Sequence, residues 1–464
     1  MARLACFWLP AIVLFLAAPV SAHDAATRPN ILVLLTDDQR FDMLGCAGNR
    51  IIQTPSMDSL AKNGIRFTNA FVTTSICPTS RASIFTGLQE RTHGYSFGTK
   101  PLAERHVLQS YPALLKKAGY RVGFVGKFCV GVPKGMTQAM FDSFVPSPRA
   151  PHFRKQADGT AKHFLDIEAD RAIAFLDTLE PGQPFCLSVS FNAPHAEDND
   201  PRQFIWPKSC DGLYADAVFP VPKTMNDDFF KAQPRFLRES ESRVRYHWRF
   251  DEPRKYQDMV RGYYRLITGI DQAIARIVAA LKKRGLADNT IIIFLSDNGF
   301  FLGERGFADK WYIYEYSIRI PLIIFDPRAP GQRRGKTSDQ LALNTDIAPT
   351  ILELTGRKPA KMQGRSLAPL LRGENPPDWR TDFLYEHLFV RKNIPRSEGV
   401  RNERFTYVRW LDQKPPVEEL YDHRADFEQT RNLVDNARFR AELESLRRRT
   451  DELRERYARD RESH

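Results

Sequence analysis

The chain has 464 residues, 42% of them hydrophobic and 27% charged, with 26 Gly, 31 Pro and a formal net charge of +12. That length exceeds one domain of ~150 residues and allows a large core without disulfide staples. Hydrophobic content this high excludes a disordered chain, the lack of a Gly or Pro period excludes a fibre, and a lone apolar run at the N-terminus excludes a multi-spanning membrane protein.

In that first run Arg3 is the positive flank, residues 4–18 are the apolar core, and Val20-Ser21-Ala22 is a small-residue cleavage pattern. We expect residues 1–22 to be a cleaved signal peptide and the product to be secreted or periplasmic. The apolar core is short for a span, so no stable membrane anchor is expected. Cysteines stand at 6, 46, 77, 129, 186 and 210 without a Cys-x-x-Cys pair, which argues against structural zinc. Loss of Cys6 leaves an odd five, implying a free thiol or a cysteine with a chemical task.

Short apolar runs at 31–35, 122–125, 185–191, 291–295 and 320–325 alternate with helical patterns. Continuous apolar strands suit the middle of a mainly parallel sheet covered by helices on both faces, an α/β fold. Residues 197–255 break the rhythm with mixed aromatic, proline and charged residues, and read as an insertion over one sheet edge, either a lid or an ordinary surface excursion. Residues 256–284 predict a long helix, with Ile267, Ile270, Ile274, Ile277 and Leu281 at helical spacing and Gly285 as its cap. The turn-rich stretch 373–378 marks a boundary between a catalytic domain over 28–372 and a smaller subdomain over 379–464. In the latter, 383–389, 405–411 and 418–421 predict short antiparallel strands, and Phe439, Leu443, Leu446, Leu453 and Tyr457 mark one face of a terminal helix.

Two oxygen-rich pairs come directly after strands: Asp37-Asp38 after the first, and Asp297-Asn298 after 291–295. In open parallel sheets ligands gather at the carboxyl ends of strands. Asp and Asn are also ordinary turn formers, but two such pairs together favour one hard cation, Ca²⁺ or Mg²⁺ rather than zinc. The stretch Ser75-Ile-Cys-Pro-Thr-Ser-Arg-Ala-Ser-Ile-Phe-Thr-Gly87 is the most specific signal. With Pro78 at the first helical position, Cys77 falls at the N-cap and Arg81 one turn on. A cysteine beside a positive helix end and a guanidinium is either a poised thiolate or a site of modification.

That stretch, with Arg28-Pro-Asn-Ile-Leu32, Thr36-Asp-Asp-Gln39, Thr54-Pro-Ser-Met-Asp-Ser-Leu60, Gly126-Lys127, Ala193-Pro-His195, Ser296-Asp-Asn-Gly299, Asp309-Lys310 and Glu419-Leu-Tyr-Asp422, resembles the type I sulfatases of the alkaline phosphatase superfamily over nearly all of the mature chain. The resemblance implies an alkaline phosphatase-like sheet and a C-terminal α+β subdomain. It implies a sulfuric ester hydrolase acting through formylglycine made from Cys77 by a formylglycine-generating enzyme, with one Ca²⁺ on Asp37, Asp38, Cys77, Asp297 and Asn298. It assigns Lys127 and Lys310 to sulfate oxygens, His195 to the leaving oxygen as general acid, and Arg81 to support of the nucleophile. In the family a hydrate oxygen attacks sulfur, and the second hydroxyl lets the sulfated hemiacetal collapse to aldehyde and sulfate. A sulfated carbohydrate is the implied substrate class, which the positive charge suits, and no nucleic-acid partner is implied.

Two positions depart from the family. Thr79 stands where proline is usual two residues after the cysteine, and Cys129 replaces a histidine that helps deprotonate the hydrate. His93 and His247 are candidates for that role only by being available. The competing readings are a phosphodiester or phosphonate hydrolase of the same superfamily and an inactive sulfated-glycan-binding homologue.

Overall fold

The run Ile31-Leu-Val-Leu-Leu35 forms the middle of β1 (Asn30–Asp37), a strand buried over its whole length. Because strand side chains alternate, Ile31, Val33 and Leu35 enter one apolar cluster and Leu32 and Leu34 another, so the strand is covered on both faces. The computed structural model describes residues 28–358 and 361–463; the signal-peptide expectation and Cys6 lie outside them. Among the described residues no helix is long and apolar enough to cross a membrane.

The remaining strands of the central sheet are β2 (Ile65–Phe67), β3 (Arg121–Gly126), β4 (Ser143–Pro146), β5 (Phe185–Pro194), β6 (Thr290–Ser296), β7 (Leu322–Phe325) and β8 (Lys336–Ser338). Their order is β8-β2-β7-β6-β1-β5-β3-β4. β1 lies parallel to β5 and β6, and β3 parallel to β5, with Thr36 opposite Ser296 and Gly126 opposite Ser190. β7 runs antiparallel to both β6 and β2, which makes the sheet mixed but mainly parallel. The carboxyl ends of β1, β3, β5 and β6 therefore share one edge, and the loops leaving those four strands meet there.

Five helices matter for the site and its frame: α1 (Cys77–Thr86), α2 (Phe164–Leu176), α3 (Glu241–Arg249), α4 (Pro253–Lys283) and α5 (Arg440–Ser463). α4 begins three residues before the expected start, at Pro253, a residue preorganised for the first turn. Its Ile267, Ile270, Ile274 and Ile277 are buried with α2 against one face of the sheet, while Ile84 and Phe85 of α1 join the core of the other. Residues 197–255 hold α3 and two shorter helices, and Ser242 of α3 donates to the Ala308 carbonyl at 2.5 Å.

The C-terminal part forms β9 (Asp382–His387), β10 (Ser397–Asn402), β11 (Phe405–Trp410) and β12 (Val417–Asp422), an antiparallel sheet in that order. Leu384, Val400, Tyr407 and Leu420 pack on Leu443, Leu446, Leu453 and Tyr457 of α5. Strand β10, Ser-Glu-Gly-Val-Arg-Asn, was not foreseen, because its composition is poor for a strand. Backbone pairing with β9 on one side and β11 on the other makes it one, and its charges are matched: Glu398 meets Arg91 at 2.7 Å, and Arg401 meets Glu315 at 2.7 Å.

Candidate active site

Local backbone brings the strand ends close. Gly126 has φ +100°, and a Cβ there would lie 2.0 Å from the Ser190 carbonyl oxygen, so only glycine lets β3 turn Lys127 inward. Asp38, Cys129, Asp309 and Trp311 also take left-handed φ values of 71°, 56°, 70° and 87°, unusual for residues with a Cβ and concentrated around this site.

The nine residues singled out from the sequence form one buried constellation. Asp37, Asp38, Cys77 and Asp297 each bring a ligand atom within 4.8 Å of the others. Cys77 Sγ donates to Asp37 Oδ1 at 3.2 Å, and Asp297 Oδ1 accepts from the Asp38 amide at 3.2 Å. Lys127 pairs with Asp37 and Lys310 with Asp38. Arg81 donates from Nε to Asp297 Oδ2 at 2.8 Å and from Nη1 to the Lys127 carbonyl, which ties α1 to the ends of β6 and β3. Asn298 donates to Asp38 Oδ1.

Three carboxylates here, Asp37, Asp38 and Asp297, meet three cations, Lys127, Lys310 and Arg81, in a buried space. Burial pushes the Asp38 carboxyl up to about 7, and Asp37 and Asp297 add to the effect against the opposing pull of Lys310. Burial and Asp37 likewise raise Asp297. Asp37 is drawn the other way: burial works to raise it, but Lys127, Arg81 and Lys310 hold it below the usual carboxylate range. Asp38 Oδ2 and Asn298 Oδ1 are buried without a hydrogen-bond partner. Clustered hard oxygen donors with unpartnered lone pairs are what a divalent Ca²⁺-type cation requires, so the residues fit one.

The helix begins one residue earlier than expected. Ile76 is the N-cap and Cys77 the first helical residue, so Cys77 is not the cap. It is not a poised thiolate either: burial and the adjacent Asp37 carboxylate push the thiol well above its ordinary pKa. All five described cysteines are free.

His195 comes just after β5, with Nε2 3.7 Å from Asp38 Oδ2. Its Nδ1–H donates to the Ala196 carbonyl at 2.7 Å, and Nε2 accepts from Arg149 at 2.8 Å. Burial, Arg149 and both lysines keep it neutral. Neither His93 nor His247 lines the pocket: buried His93 bonds Ser83 at 3.1 Å, and exposed His247 faces Asp251.

Above this floor opens a pocket of about 530 Å³, walled in part by Arg149, Arg245, Trp311, Phe389 and Arg391. Sequence reasoning missed this wall. Arg249 meets Asp309 at 2.6 Å and Asp198 at 2.8 Å, and Arg245 meets the same two at 3.0 and 3.2 Å. The available signal was weak: two arginines four apart, which share a face of α3.

Comparison with known proteins agrees with this geometry. The sulfatase family matches residues 29–357, and the C-terminal region of N-sulphoglucosamine sulphohydrolase matches 303–456. An N-acetylglucosamine-6-O-sulfatase of Bacteroides thetaiotaomicron is 28% identical over 97% of this chain and 90% of its own length. A solved structure bound to its substrate D-glucosamine-2-N,6-O-disulfate is also 28% identical, with TM-score 0.81 over 93% of this chain and 98% of the other. A phosphonate monoester hydrolase of Agrobacterium radiobacter, 21% identical over 93% of this chain and 96% of its own, shares the fold with TM-score 0.77. The family match spans most of the chain: the chain belongs to the type I sulfatases of the alkaline phosphatase superfamily and is a sulfuric ester hydrolase.

Proposed function

We propose that this sulfatase releases sulfate from a sulfated carbohydrate, using formylglycine at position 77 and one Ca²⁺ held by Asp37, Asp38, Asp297, Asn298 and residue 77. The carrying observation is the four-ligand cluster within 4.8 Å, flanked by two lysines and holding unpartnered buried oxygens. The sugar-sulfate relatives and the complexed neighbour support the substrate class. Extracellular sulfatase relatives support export behind a signal peptide at 1–22.

When bound, the cation offsets the carboxylates, makes a coordinated hydroxyl more acidic and draws charge from the sulfate oxygens. The protein's own residues do the rest. Lys127 and Lys310 both line the pocket at the cluster, where the transferring sulfate gathers charge, and Arg81 holds Asp297 in place. Asp37 Oδ1 is the acceptor to which residue 77 already points. An anionic ester beside His195 raises its pKa against the surrounding cations, so that Nε2 can take a proton and hand it to the leaving oxygen. Cys129 in the wall supplies no imidazole. Cys77 is only 4% exposed, which requires the formylglycine-generating enzyme to act before the chain closes.

The test is release of sulfate from N-acetylglucosamine 6-sulfate, beside the sulfate, phosphate and phosphonate esters of one aryl alcohol. Turnover of the sulfates, lost with chelator and restored by Ca²⁺, is expected. Preferential phosphonate or phosphate cleavage would move the protein to the competing hydrolase reading. Tight binding without release by the fully modified protein would make it an inactive homologue.

A further inference from the structure

The pocket is more basic than a single sulfate requires. Arg149, Arg245 and Arg391 line it in addition to Lys127 and Lys310, against one lining carboxylate, Asp309. The two lysines are committed to floor carboxylates. Arg245 is committed too, with Asp309 at 3.0 Å, Glu241 at 3.0 Å and Asp198 at 3.2 Å. Arg149 and Arg391 differ. Arg149 pairs with Asp198, which Arg245 and Arg249 already share, and 47% of its side chain stays open. Arg391 reaches Glu241 only at 3.7 Å, on the oxygen that Arg245 holds, and is 50% exposed.

Two incompletely neutralised guanidiniums thus face one pocket from segments far apart in the chain. A guanidinium fork matches the paired oxygens of a sulfate or carboxylate. Phe97, packed on Phe389 with ring centroids 5.8 Å apart, adds a flat apolar face to the same pocket. We propose that Arg149 and Arg391 bind a second anionic group of the substrate, a sulfate or carboxylate carried apart from the ester that is cleaved. This inference rests on the carbohydrate-sulfatase reading above.

Binding, rather than turnover, tests it. The full chain carrying Cys77→Ala, with Ca²⁺ added, is titrated calorimetrically with three ligands. They are N-acetylglucosamine 6-sulfate, glucosamine N,6-disulfate, and a disaccharide joining 6-sulfated N-acetylglucosamine to a uronate. At least one two-anion ligand is expected to bind about 10-fold tighter than the one-anion ligand, and the arm that gains identifies sulfate or carboxylate. Arg149→Gln and Arg391→Gln, both at half-exposed positions, should each shrink that gap at least about threefold with little change in Tm. Equal affinities, no binding, or a gap untouched by both variants overturns the proposal. An intact gap together with no sulfate release from any ester by the Cys77 protein would instead remove the sulfatase reading and leave the anion site standing.

Discussion

The floor and the wall of the pocket use the same residue types to opposite ends. On the floor, burial, with Asp37 and Asp297 adding to it, outweighs Lys310 at Asp38, so its carboxyl is pushed up to about 7 and keeps a buried oxygen unpartnered. In the wall, Asp309 is also fully buried, yet Arg245, Arg249 and Lys310 outweigh that burial and hold its carboxyl far below the usual range. A buried carboxylate cluster with an unpartnered oxygen suits a cation. One saturated with guanidiniums is a scaffold, and it aims its surplus positive charge at an anion. The number of acids tells little; the balance at each one decides what it does.

The sharpest break in that comparison is at the floor's nucleophile. Cys77→Ser offers a hydroxyl that can attack once but lacks the second oxygen needed to expel sulfate, and should cost on the order of 10⁶-fold in kcat. Peptide mass analysis of active protein should find formylglycine at 77; an unmodified thiol in fully active protein would end this mechanism.

The wall breaks differently. Asp309→Asn strips the charge that balances buried Arg249 and Arg245, and should lower unfolding stability by about 3–5 kcal/mol in denaturant titrations. A loss below about 1 kcal/mol would show that the wall is not a closed network. Lys127→Ala and Lys310→Ala belong to the floor, and each should cost ~10²–10³ in kcat at saturating Ca²⁺. Near-normal turnover in both would withdraw their roles at the sulfate.

The smallest effect concerns a carboxyl behind the floor. Glu168 of α2 packs beneath Gly126, where burial, partly offset by Arg154, pushes its pKa up to about 8 from an ordinary 4.5. The folded state therefore holds a proton that the unfolded chain has already released between those two values. Stability from this group is full below about pH 4.5 and is lost as pH rises toward 8. Glu168→Gln should flatten the fall of Tm across that window; an identical pH profile in the variant would refute the assignment.

Much of this was legible because it is local. Alternation and apolar runs placed β1 and β6, and an acidic pair comes immediately after each strand, so a parallel sheet had to bring Asp37-Asp38 and Asp297-Asn298 to one edge. The spacing of isoleucines gave α4 within a few residues. Pro78 fixed the start of α1 to within one position, the error being that helix geometry already holds at Cys77.

The rest depended on contacts that no local pattern encodes. Arg245 finds Asp309 across 64 residues, Arg149 finds Asp198 across 49, and Arg401 finds Glu315 across 86. Each partner alone reads as a solvated surface charge. Tertiary structure also bears on Cys77, whose helix position suggested either a poised thiolate or a site of modification. Burial and one neighbouring carboxylate outweigh the helix end and hold the thiol protonated. The sequence by itself determined which chemistry arrives at the sheet edge, because a strand and the residues after it are neighbours along the chain. Only the folded chain decided how each charge is balanced there, because desolvation and ion pairing belong to whatever surrounds a group in space.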